Sequence, residues 1–213
     1  SKRLKSRTGN RNLKQEYTHN AGLHYFAANP ALQKNLMMFA NFTDKQNAMV
    51  NYDDINSQGV RTTHPVNADG VYNIFGALNW GTKIKKTNTR VTAGTNVFYT
   101  NNVNFINGSR NNISNLSLSP RATFNYTYKE AIDITAEARV SYNKVKYGLQ
   151  QALNSNYWQQ QYGVDATINF PLGIGINTDM TYTLNTGRSN GYNTSAALWN
   201  AAITKQVFKN KKG

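Results

Sequence analysis

The stretch Ile132-Asp133-Ile134-Thr135-Ala136-Glu137-Ala138-Arg139-Val140-Ser141-Tyr142-Asn143 separates into two interleaved sets. Ile132, Ile134, Ala136, Ala138, Val140 and Tyr142 are apolar or aromatic; Asp133, Thr135, Glu137, Arg139, Ser141 and Asn143 are polar. Successive side chains of a β-strand point to opposite faces, so this is a strand with one apolar and one wet face. The same pattern precedes it, where Leu116, Leu118, Pro120, Ala122, Phe124, Tyr126 and Tyr128 alternate with polar residues. It recurs after it, in Tyr162, Val164, Ala166, Ile168 and Phe170 and in Ile174, Ile176, Thr178, Met180, Tyr182 and Leu184. Soluble sandwiches turn about every 8–12 residues. These runs are longer, as a tilted membrane strand of about 9–11 residues that continues past the hydrocarbon must be.

Composition agrees. Among 213 residues, aromatics reach 12% and charged residues only 16%, unlike a disordered chain. Asn, Thr, Gly and Tyr are abundant and all are mediocre helix formers. There is no cysteine, hence neither disulfide nor thiolate metal site. No run approaches the roughly 18 consecutive apolar residues of a spanning helix. The segment from Ser1 to Arg11 has no apolar signal-peptide core, and the chain closes on Lys209-Asn210-Lys211-Lys212-Gly213, so a fragment of a longer protein is expected.

The connections sort into two alternating classes. Short ones are expected near Asn29-Pro30, Gly81 to Thr87, Lys129-Glu130 and Pro171 to Gly173, and longer ones near Asp54 to Gly59, Asn104 to Asn112, Tyr147 to Tyr157 and Asn185 to Tyr192. That asymmetry is the one of outer-membrane barrels, with short periplasmic turns and longer extracellular loops. Beside the short turns stand Tyr25, Phe26, Trp80, Tyr126, Tyr128, Phe170 and Phe208; nearer the long ones stand Tyr99, Tyr142, Trp158, Tyr182 and Trp199. They form two aromatic girdles at the membrane–water interfaces.

The expected fold is all-β: an antiparallel transmembrane β-barrel built as an up-and-down meander. Nine strands are placed at 16–27, 34–55, 59–82, 88–104, 112–128, 131–147, 157–170, 173–185 and 193–208, the second and third forming one tall hairpin. The whole of 1–213 is a single, incomplete domain, because nine strands leave open edges that lipid cannot satisfy. Arg139 on a lipid face would cost about 2–4 kcal/mol. Glu137 and Arg139 are therefore assigned to the lumen, with Arg121, Asp133, Asp165 and Asp179. They brace the wall or hold a plug, or else line a substrate path. The net charge of +14 lies in scattered connections and strand ends, such as Lys83 to Arg90 and Lys144 to Lys146. It reads first as solvated connections rather than a nucleic-acid surface, with basic outer loops meeting lipopolysaccharide phosphates as the alternative.

Three stretches, Phe39-Ala40-Asn41-Phe42-Thr43-Asp44, Pro65-Val66-Asn67-Ala68-Asp69-Gly70 and Gly76-Ala77-Leu78-Asn79-Trp80-Gly81, together with the close from Ala202 to Gly213, resemble the barrel region of TonB-dependent receptor-like outer-membrane proteins common in Bacteroidetes. The resemblance implies an N-terminal plug inside a barrel of about twenty-two strands. It also implies uptake of a bulky nutrient driven by a TonB-type inner-membrane partner, and a possible surface lipoprotein partner. Plug, partner-binding box and final strand are not in this sequence.

No catalytic residues, metal site or cofactor are expected. His19 and His24 fall on opposite faces of one strand, and no phosphate loop or nucleophile elbow is present. Asp53-Asp54 with His64 read as loop groups, not a catalytic set. Two other classes stay open: a structural or enzymatic barrel without plug, and a soluble, basic β-rich binding module.

Overall fold

The computed structural model describes residues 5–129, 131–187 and 191–206. Its strands are β1 (Lys5–Arg7), β2 (Tyr17–Asn29), β3 (Lys34–Gln46), β4 (Ala48–Ile55), β5 (Arg61–Ala68), β6 (Val71–Ile84), β7 (Thr89–Ile106), β8 (Ser109–Tyr128), β9 (Ile132–Tyr147), β10 (Ser155–Phe170), β11 (Ile174–Thr186) and β12 (Thr194–Lys205). From β7 to β12 each strand pairs antiparallel with the next, and β2, β3, β6 and β7 continue the wall on the other side. Phe208 and Glu130 lie outside the described residues.

The wall is sheared. Its lower turns close at Asn29↔Lys34, Ile84↔Thr89, Tyr128↔Ile132 and Phe170↔Ile174. Thr89 lies opposite Tyr126, while the next turn closes at Tyr128, two residues lower. Ile132 lies opposite Ile168, and the next turn closes at Phe170, two lower again. One residue of offset per strand, at about 3.4 Å of rise against about 4.8 Å of spacing, corresponds to a strand tilt of about 35°. That is the inclination of outer-membrane barrel strands.

The tall hairpin departs from the nine-strand map. The expected strand 34–55 breaks at Asn47 (φ 50°) into β3 and β4, and 59–82 breaks at Asp69-Gly70 (Gly70 φ 87°) into β5 and β6. Both turn residues tolerate the left-handed region, and the Asn47 N–H donates to Asp69 Oδ1 at 2.8 Å across the break. Above it the two legs change sides. Below, the order is β3-β6-β7; above, it is β5-β4-β7, with β4 running parallel to β7 at Tyr52↔Phe105 and Asp53↔Ile106. An isolated two-stranded ribbon twists more strongly than a broad sheet, which lets the legs cross. The chain's small buried cluster sits at this crossing: Ala48, Val50, Ala68 and Val103, with Val66, Val71 and Phe105 against it.

A second correction concerns 104–112, expected as a long loop. The ladder continues through Asn104↔Asn111 and Ile106↔Ser109, and the connection is only Asn107-Gly108, both at positive φ. Asn-Gly supplies the turn whose twist matches a hairpin. The Asn107 amide clamps β4, its Oδ1 accepting from the Ile55 N–H at 2.7 Å and its Nδ2 donating to the Ile55 carbonyl at 3.2 Å. β1, beyond the nine expected strands, runs parallel to β5.

Candidate functional site: the two faces of the wall

Cross-strand register fixes which side chains share a face. Ala122, Ala138, Tyr162, Tyr182 and Ala197 stand in one row of directly opposed residues, as do Leu36, Trp80 and Ala93. Ala93↔Ala122 joins the two rows across β7 and β8. From these rows the whole apolar face follows by alternation. On β8 below Asn112, β9 below Lys144, β10 and β11 it carries no charged side chain. Its charges stand at strand ends: Asp44, Arg110, Lys144 and Lys146 above, Lys34 and Lys205 below.

All nine assigned girdle residues, Tyr25, Trp80, Tyr126, Tyr128, Phe170, Tyr142, Trp158, Tyr182 and Trp199, share this apolar face. Tyr142 and Trp158 are directly opposite, their ring centroids 4.6 Å apart. Phe42, Tyr72 and Tyr99 continue the upper aromatics at 6.1 and 5.9 Å. Trp199 lies six residues above Lys205, whereas Tyr142 lies ten above Ile132. Trp199 therefore stands between the two bands, and its Nε1 donates to Thr178 Oγ1 at 2.8 Å. An indole N–H away from water needs such a partner. Phe26, grouped with the lower band by sequence, falls on the polar face, two rows of side chains from the turn.

The polar face gathers the six charged residues singled out by sequence. Arg121 and Arg139 are directly opposite, as are Asp165 and Asp179; Glu137 lies opposite Thr123 and Gly163, and Asp133 opposite Thr127 and Thr167. Lys83 and Arg90 face each other on the same side. Like charges directly opposed destabilise a sheet slightly, so the wall by itself gains nothing from this arrangement. Arg121 Nη2 donates to Asn79 Oδ1 at 2.8 Å, reaching from β8 to β6 over Gly94. Any Cβ at Gly94 would meet Asn79 Oδ1 at 2.6 Å and the Leu78 carbonyl at 2.8 Å. Asn200 Nδ2 donates to Asp179 Oδ2 at 2.8 Å. Pro120 has no N–H to give, and the β8–β9 register lapses between Leu118↔Tyr142 and Arg121↔Arg139. Ser119 Oγ bridges that gap to Ser141 Oγ at 3.0 Å.

Sequence reasoning missed one feature. On the polar face of β2, β3, β6 and β7 lie His24, Phe26, Met37, Phe39, Phe75 and Phe98. Phe75 and Phe98 are directly opposite; Phe39 is 5.5 Å from Phe75 and His24 is 4.5 Å from Phe39, ring to ring. The signal was present as unbroken apolar runs, Leu36-Met37-Met38-Phe39 and Val97-Phe98-Tyr99, which supply both faces at once.

The head formed by β4 and β5 is held by buried electrostatics. Asp53 is 2% exposed; Arg61 Nη2 donates to its Oδ2 and Thr63 Oγ1 to its Oδ1 at 2.6 Å. Burial pushes the Asp53 carboxyl up, but the hydrogen bonds from Arg61 and Thr63 outweigh it, and its pKa is lowered. His64 is on the opposite face, stacked on Tyr52 at 4.7 Å, so no proton relay links it to Asp53. Below the head, Glu16 binds Lys45 at 2.6 Å and accepts the Met49 N–H at 3.0 Å. The Lys45 hydrogen bond, then the Met49 one, lowers the Glu16 pKa. Among the described residues no group of His, Cys, Asp and Glu has the makings of a metal site.

A tilted, sheared sheet with one aromatic-banded face whose charges stand only at strand ends, and one face that gathers charged side chains, is the wall of an outer-membrane barrel. Over residues 1–158 the chain matches the model of the outer membrane protein beta-barrel family, and it belongs to that family. Its place is the cell outer membrane. No curated protein and no solved structure matches it.

Proposed function

We propose that this wall belongs to a barrel that takes up a bulky nutrient, with a plug domain in its lumen and energy drawn from a TonB-type inner-membrane partner. The observation that carries the reading is the polar face, where opposed arginines and opposed aspartates share one side of the sheet without neutralising one another. A plug or a passing solute supplies the counter-charges. The edges of β2 and β12 are unpaired among the described residues, and in lipid they require further strands to complete the ring. The energy coupling is what the resemblance to the barrel region of TonB-dependent receptors implies. Lys144 and Lys146, one and two rows above the Tyr142–Trp158 pair on the apolar face, stand at the height of lipopolysaccharide phosphates. A surface lipoprotein over the head is a further partner, and no catalytic step is assigned to the protein.

Uptake in whole cells tests the reading. Solute accumulation that depends on this protein and stops when the inner-membrane proton gradient is collapsed supports it. Accumulation that follows the external concentration and ignores the gradient contradicts it in favour of a passive or structural barrel.

A further inference from the structure

On the polar face, directly beneath the crossing of the hairpin legs, lies a cavity of ≈ 490 Å³. That is the size of a small-ligand site. Four carboxamides line it, from Asn51, Asn73, Asn102 and Asn104, and Val71 and Ile113 contribute apolar wall. The Asn104 Oδ1 accepts from Asn111 Nδ2 at 2.9 Å, which leaves its own amide hydrogens for the cavity. Lys45 and Glu16, at the rim, neutralise each other. The lining therefore presents donors and acceptors in quantity and no uncompensated charge. The aromatic strip begins one step below: Phe75 follows Asn73 and Phe98 precedes Thr100 by two residues on the same face, about 7 Å along the strand. From there it runs through Phe39 to His24.

We infer that the cavity and strip form a binding track for a neutral carbohydrate. A pyranose ring has apolar C–H faces and a rim of hydroxyls, each of which donates and accepts. Primary amides offer two donors and an acceptor oxygen apiece, which suits that rim. Flat rings in an otherwise hydrophilic wall suit the C–H faces. An anionic or cationic solute would leave its charge unmatched here, although the Arg121–Arg139 and Asp165–Asp179 pairs lie elsewhere on the same face. The inference rests on the polar face being the lumen, as proposed above.

The test uses the full-length protein in detergent and calorimetric titration with maltoheptaose, xylohexaose and a neutral hexapeptide. The expected result is binding of at least one oligosaccharide, unchanged between about 50 and about 500 mM salt because no charge is involved. Asn102→Ala and Phe75→Ala weaken it about tenfold or more, whereas Arg121→Ala leaves it intact. Each variant is first checked for the folded band on an unheated gel. Binding of neither saccharide, retention of affinity in both variants, or binding of the peptide alone overturns the inference. Gradient-driven uptake of some other solute without saccharide binding refutes the track and leaves the transport reading standing. Saccharide binding with gradient-independent entry refutes the transport mode and leaves the track standing.

Discussion

Placing one arginine on each face of β9 gives the sharpest contrast the wall allows. Ala138 is on the apolar face, directly opposite Ala122 and Tyr162 and six residues above Ile132, near mid-height. Arginine there puts a guanidinium into hydrocarbon at a cost of about 2–4 kcal/mol. At about 1.4 kcal/mol per factor of ten, the folded population falls roughly 30- to 1,000-fold relative to unfolded. Thr135, three residues away, faces the other side, between Asn125 and Asp165. Thr135→Arg loses the Thr135 Oγ1 to Asn125 Oδ1 hydrogen bond of 2.9 Å, about 0.5–1.5 kcal/mol, and gains the Asp165 carboxylate as a neighbour. The assay is urea unfolding of the full-length protein in phospholipid vesicles, with the folded fraction read from gel migration without heating. Ala138→Arg shifts the midpoint strongly or blocks insertion; Thr135→Arg stays close to wild type. Equal losses, or the larger loss at Thr135, would refute the facing assigned to β9 and, through the register, to its neighbours.

Four further outcomes follow from individual contacts. Gly94→Val forces Asn79 and the Leu78 carbonyl apart and removes the seat over which Arg121 crosses, so urea stability falls by about 1–3 kcal/mol. Trp199→Phe strips the hydrogen bond to Thr178 from the apolar face and lowers stability by about 0.5–1.5 kcal/mol, while Trp158→Phe at the upper band costs less. Asn107→Ala keeps a positive φ that alanine resists and abandons both bonds to Ile55; protease cutting within the 56–59 loop accelerates while the wall stays folded. The Asp53 carboxyl has its pKa lowered in the folded head, so its stabilising contribution is full above the unfolded value of about 3.9 and fades as pH falls through the lower folded value. Amide protection in β4 and β5, taken relative to the intrinsic exchange rate at each pH, therefore falls on acidification below about pH 4, and Asp53→Asn leaves it low and pH-independent over that range.

β8 to β11 were legible in the sequence because their two faces are chemically pure: Ala136 and Ala138 against Glu137 and Arg139 admit only one facing in lipid. The charged set came with that facing, as did the girdle residues Tyr126, Tyr128, Tyr142, Trp158, Phe170 and Tyr182. β2, β3, β6 and β7 were harder, since Met37 and Phe39 are as apolar as Leu36 and Met38, and period two has nothing to contrast. The aromatic strip hid in that ambiguity. The crossing of the hairpin legs had a local trace in Asn47 and Asp69-Gly70, but the parallel contact of Tyr52 with Phe105 joins segments more than fifty residues apart, which no local pattern encodes. The tip at Asn107-Gly108 was masked by the asparagines around it, which resemble a loop in composition yet stand in the β7–β8 ladder, where Asn104 and Asn111 bond to each other. The cavity depends on all of these and was therefore invisible until the crossing was placed.

The central claim is the division of the wall into a lipid face and a wet face, and the absence of cysteine from these 213 residues leaves the wall open to single-cysteine labelling. Single cysteines from Ile132 to Asn143, spin-labelled in the full-length protein in bilayers, report collisions with oxygen, which concentrates in lipid, and with a water-soluble nickel chelate. The account predicts period-two alternation, with 134, 136, 138 and 140 favouring oxygen and 133, 135, 137, 139 and 141 favouring nickel. Accessibility without alternation, or with the two sets reversed, would contradict it.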